Sequence, residues 1–140
     1  MKKKEIPLKR AIDFHGHLGP YLVLGLLMGK YALNKLKARQ HFGLRVKVWG
    51  VKDKPRSCLI DGLQLSTGCT YGKGNIAKYN GAVIKANFLN QDTKESVDLL
   101  LRDEVIKKLK AASSHSSSEK LARELYRAQP QDLFLMPINR

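Results

Sequence analysis

The strongest constraint on this chain is an apolar run, Leu18 to Met28, set inside a helical pattern that spans residues 20 to about 39. Gly19-Pro20 opens the pattern. Proline lacks the N–H that a helix start leaves without a partner, so it suits the first helical position. Leu22, Leu26, Leu33 and Leu36, joined by Tyr21, Leu24 and Met28, cover more than half the circumference. This predicts a helix buried on most sides. The eleven residues of the run fall short of the ~20 needed to cross a bilayer. The charged start MKKKEIPLKR does not resemble a secretion signal. The expected setting is therefore the cytoplasm, without a membrane segment and with reduced thiols. Gly25 and Gly29 lie four apart on one face. They admit close approach of another backbone, within the chain or across a dimer.

A chain of 140 residues can enclose such a helix within one domain. Residues 1–10 read as a basic lead-in. Residues 45–51 (RVKVWGV) alternate as a strand does. Ser57 is placed to cap a helix over residues 58–66, and a glycine-rich loop follows at 68–75. Residues 76–79 and 82–88 read as the arms of a hairpin around Asn80-Gly81, since both turn positions favour positive φ. Asp92 and Glu95 have capping-box spacing ahead of an expected helix over 94–111. A serine-rich linker at 112–118 leads to a helix capped by Ser116 and Glu119, which Pro130 ends; residues 133–136 suggest a last strand. The predicted class is α+β, one domain over residues 1–140: helix, strand, helix, an antiparallel hairpin, further helices and a late strand.

The chemistry-bearing residues are few. In the stretch DFHGHLGP, His15 and His17 are separated only by Gly16. If this segment is extended before Pro20, both imidazoles point to one side. They then form either a metal or base pair or a simple helix-start contact. Cys58 opens a predicted helix, where the dipole lowers a thiol pKa. Cys69 lies near that helix's far end, roughly 16 Å away along a continuous helix. The two therefore share an ion only if the helix breaks at Gly68 or a second protomer intervenes. Otherwise one cysteine alone joins the site, or both are small buried hydrophobes. Asp61 lies one turn after Cys58 and either orients a site histidine or complements the helix dipole. The loop 68–75 lacks the P-loop and dinucleotide patterns. Its Gly72 and Gly74 N–H groups, with Thr70 and Lys73, can still hold an anion, or the loop is a plain turn. Cys58, His15 and Asp61 are the candidates for a catalytic role.

The segments FHGHLGP and CLIDGLQLSTGCTYGKGNI, in that order, resemble the FmdE (FwdE) family, named for the E component of formylmethanofuran dehydrogenase. The resemblance is good over residues 12–88 and looser beyond. It implies an α+β core, a homodimer and a link to one-carbon metabolism. It also implies a metal site at His17, Cys58 and Cys69 with His15 nearby. Many members carry cysteine where this chain has Gly19. Some append a cysteine-rich zinc finger, and no cysteine follows Cys69 here.

Imidazole and thiolate donors together suit zinc or another late first-row ion. A metal-binding protein is thus the leading expectation. An accessory subunit of a larger oxidoreductase is the second, since two cysteines cannot hold a cluster that needs four. The net charge of +14 keeps a nucleic-acid-binding module as a third. It is not favoured, because the basic residues are dispersed and several sit at predicted helix ends.

Overall fold

A computed structural model describes residues 6–137. The long apolar helix, α2 (Pro20–Leu36), is the centre of the fold and is buried on most of its circumference, as its composition predicts. A shorter helix, α1 (Leu8–His15), precedes it. The rest follows as β1 (Leu44–Trp49), α3 (Cys58–Thr67), β2 (Ile76–Tyr79), β3 (Lys85–Asn90), β4 (Ser96–Leu101), α4 (Asp103–Ala111), α5 (His115–Tyr126), α6 (Pro130–Leu133) and β5 (Phe134–Leu135). The class is α+β.

The strands form one sheet in the order β2-β1-β3-β4-β5. Strands β1, β3 and β4 alternate in burial, sending Val46, Val48, Phe88 and Leu99 into a core shared with α2, α3 and α5. Side chains two apart share a face, so Arg45 and Lys47 stand on the opposite face, in solvent. There Trp49 stacks on Tyr79 with ring centroids 5.4 Å apart.

Helices α2 and α3 meet through glycine. A Cβ on Gly25 would collide with the Leu59 carbonyl oxygen, and one on Gly62 with the Leu22 carbonyl oxygen. The Ser66 hydroxyl lies 2.8 Å from the Gly62 carbonyl and 3.2 Å from that of Gly25, bridging the two helices. The close approach expected of Gly25 and Gly29 is therefore made within one chain.

Several expectations are corrected. β2 does not form a hairpin with β3. It pairs with β1 in parallel, with Val46 opposite Ile76, while β3 pairs with the other edge of β1. The segment between them crosses the end of β1, where Gly50 (φ +80°) leaves no room for a side chain against the Val83 carbonyl. Neither Asn80 nor Gly81 adopts positive φ. The hairpin of this fold is β3–β4. Its turn uses the residues read as a capping box: the Asn90 side-chain oxygen accepts from the N–H groups of Asp92 (2.9 Å) and Thr93 (3.2 Å). Residues 96–101 are a strand, not a helix, because Val97, Leu99 and Leu101 bury with period two. The helix begins only at Asp103.

Residues 8–10, read as lead-in, already belong to α1; Lys2, Lys3 and Lys4 lie outside the described residues. α5 starts at His115, inside the expected linker, on a Ser114–Ser117 capping box rather than on Ser116 and Glu119. Pro130 opens α6 rather than closing α5, and β5 is only two residues long. The Ser57 side chain makes no capping hydrogen bond, because its backbone is already helical.

Candidate functional site

The expected extended segment around the histidines is a helix end. His15 is the last residue of α1, and Gly16 (φ +103°) closes the helix by donating its N–H to the Ile12 carbonyl at 2.7 Å. That left-handed turn favours glycine. It returns the chain so that the His15 and His17 rings still meet, with centroids 4.6 Å apart and planes tilted by 39°.

Asp61, in the first turn of α3, reaches the first imidazole: His15 Nδ1 lies 2.6 Å from Asp61 Oδ2. An ionised carboxylate only accepts, so Nδ1 carries a proton, and in the neutral form of such a ring the lone pair lies on Nε2. That Nε2 is buried and has no hydrogen-bond partner. A ring fixed in orientation and tautomer, with a buried nitrogen left over, is the arrangement a carboxylate gives to a ligating histidine. The His15 side chain is 9% exposed.

His17 is more open. Its pKa is lowered, first by burial, then by the neighbouring His15 and by His115; Glu119 opposes the shift. His115 and Glu119 come from the first turns of α5, so charge on this helix also acts on His17. Sequence reasoning placed His115 in a linker. Only its Ser114 capping signal could have moved it into an ordered helix.

Cys58 stands one turn before Asp61 and is partly buried. Its thiol pKa is raised, first by burial and then by the Asp61 charge; Lys54 and a backbone hydrogen bond oppose this. The expectation of a dipole-lowered thiol is thus reversed. Cys69 points elsewhere. It is fully buried in the main core, its thiol donates to the Leu44 carbonyl at 3.4 Å, and burial raises its pKa. Among the described residues, no three His, Cys, Asp or Glu side chains are gathered to hold a metal ion. His15 fits a ligand's role, but the chain's own described donors do not close a site.

The loop 68–75 is tied to itself. Thr70 N–H donates to the Asn75 side chain, Tyr71 N–H to the Gln64 side chain, and Lys73 N–H to the Thr70 hydroxyl. Gly74 N–H donates to the Tyr71 carbonyl. The Lys73 ammonium donates to the Gly68 carbonyl and sits 5.0 Å above the Phe42 ring. Gly72 and Gly74 are exposed.

No helix among the described residues is long and apolar enough to cross a membrane.

Comparison with known proteins adds to this geometry. A probable S-adenosyl-L-methionine-binding protein of Archaeoglobus fulgidus is 35% identical over 71 residues, which is 49% of this chain and 19% of that protein. The chain thus spans less than a fifth of that relative. A tungsten formylmethanofuran dehydrogenase FmdE-like protein from Syntrophus aciditrophicus, known from its crystal structure, superposes with a TM-score of 0.65 at 22% identity. The likeness covers 93% of this chain and 68% of that one, so the fold is shared. A family model described as "FmdE, Molybdenum formylmethanofuran dehydrogenase operon" matches residues 14–139. That match takes in the histidine pair, Cys58, Asp61 and the glycine-rich loop, and by it the chain belongs to the FmdE family.

Proposed function

We propose that this FmdE-family chain is a cytoplasmic metal-binding protein linked to one-carbon redox chemistry, with zinc or a similar late first-row ion held at His15, His17 and Cys58. The carrying observation is the buried, partnerless Nε2 of His15 on a ring oriented by Asp61. The remaining donors come from outside the described single chain, either from a second copy in a homodimer or from a larger oxidoreductase. The family's description as part of a formylmethanofuran dehydrogenase operon supports such a complex. In a complex of that kind the chain acts as an accessory subunit.

When bound, the ion would supply Lewis-acid polarisation of a carbonyl or a water. The residues themselves divide the work. Asp61 fixes the ring of His15. Cys58 holds its proton at neutral pH and releases it on ligation, so metal binding releases protons and strengthens as pH rises. Cys69, fully buried in the main core, is left out of this site. In the loop, the Gly74 N–H is committed to the Tyr71 carbonyl, so an anion contact there falls to the Thr70 hydroxyl, the Gly72 N–H and, above all, the Lys73 ammonium.

The test is metal content and zinc titration of the purified protein beside His15→Ala and a His17→Ala, Cys58→Ser double variant. Stoichiometric zinc in the wild type and its loss in both variants is expected. Full metal content in both variants refutes the assignment. Co-purification with a larger oxidoreductase tests the accessory role, and recovery of the homodimer alone counts against it.

A further inference from the structure

We infer that the protein carries a second binding site, for a small polyanion, in the cavity between the 50–56 loop, the 80–81 turn and the end of α4. The cavity is about 540 Å³, within the range of small-molecule sites. Four cationic side chains line it, Lys52, Lys54, Arg56 and Lys110, against one acid, Asp53. These residues come from two separate stretches of chain, so the charge is assembled by the fold and is not a run in the sequence.

The Arg56 guanidinium is held in place. Its Nη1 donates to the carbonyls of Gly50 (3.2 Å) and Ala82 (3.3 Å), and Tyr21 lines the same cavity. Burial raises the Tyr21 pKa, so the phenol remains a donor at neutral pH. A fixed guanidinium and a phenol at one wall, with flexible ammonium groups at the rim, match a ligand with two or more phosphate or carboxylate groups. The size of the cavity suits such a molecule. The site is independent of the metal reading, although Lys54 also acts on the Cys58 thiol and so places the cavity beside it.

Pyrophosphate and citrate are the probes, titrated calorimetrically at low salt. One or both should bind saturably, and which one does identifies phosphate or carboxylate as the preferred group. Lys54→Glu with Lys110→Glu should weaken that binding at least tenfold, about 1.4 kcal/mol. Both lysines are exposed, so thermal unfolding should not change. Arg56→Lys should weaken binding with the fold kept, and Lys73→Glu should leave it unchanged. Absence of saturable binding by either probe, or wild-type binding in the double-glutamate variant, overturns the site. So does a homothymidine oligonucleotide that binds through the same lysines more tightly than both probes. Zinc content should be equal in the wild type and the double-glutamate variant, so this site can fail while the metal reading stands.

Discussion

Replacing Gly25 by alanine tests how α2 and α3 are joined. In an isolated helix the change is favourable by ~1 kcal/mol, because alanine is the better helix former. Here the added methyl would collide with the Leu59 carbonyl oxygen and crowd the Leu63 nitrogen at 2.9 Å and the Gly62 Cα at 3.0 Å. All three are backbone atoms of α3 and cannot rotate away as a side chain could. The helices must therefore separate, and a gap of 0.5–1 Å already forfeits roughly a quarter to a half of each dispersion contact. Overpacking costs about 1–3 kcal/mol, and a rigid obstacle belongs at the top of that range. Set against the helical gain, the net loss is about 2 kcal/mol. At about 4 °C per kcal/mol for a domain of this size, the melting temperature falls by about 8 °C. Gly72→Ala is the control. Its Cβ would meet nothing closer than the Thr70 hydroxyl at 3.9 Å, so it should melt at or slightly above the wild type. Urea and thermal unfolding of both variants decide the matter. A Gly25→Ala protein as stable as Gly72→Ala would refute the backbone-contact reasoning.

Three further outcomes are expected. Asp61→Asn removes a charge that raises the Cys58 pKa, so in chelator-treated protein alkylation of Cys58 near pH 8 should accelerate; an unchanged rate contradicts the coupling. Asn90→Ala should cost about 2–3 kcal/mol, because Asn90 is 1% exposed and bridges the Leu36 carbonyl to the N–H groups of the β3–β4 turn; a loss below half of that in urea unfolding argues against the bridge. The His17 pKa lies below the ordinary imidazole value of 6.5, so the unfolded chain takes up its proton first as pH falls. Stability should decline from about pH 6.5 downward through the lower folded value, and His17→Gln should flatten that part of the profile.

The central helix was legible because its signal is continuous: Gly19-Pro20 starts it, and its apolar residues leave little polar surface. Strand β1 was legible for the same kind of reason, since Val46 and Val48 alternate with Arg45 and Lys47. The sheet order was not. Asn80-Gly81 is a local turn signal, but β2 docks on β1 through Ile76 and Val46, a pairing across 30 positions that local chemistry does not announce. Asp92 and Glu95 have the spacing of a helix cap, yet Asn90, just before them, captures the backbone for a hairpin. At the candidate site, the types and the pairing of His15 and Asp61 could be anticipated. The burial of Cys69 and the approach of His115 could not, because both depend on packing between elements far apart in the chain.

The parallel pairing of β1 and β2 has a consequence for how the protein opens. Strand β2 is at the edge of the sheet, and its ladder runs to β1 alone. All of residues 50–75, including Cys58, Asp61 and the basic cavity loop, form the crossover between these two strands. Asn75 clamps the far end of that crossover by donating to the His41 carbonyl at 2.6 Å. The crossover thus ties α3 to the edge strand, with β1 at one end of the segment and β2 at the other. In native-state hydrogen exchange, the amides of α3 and β2 should open as one cooperative unit. Any ligand that braces either end of the crossover would then slow exchange in the edge strand, at amides it never touches.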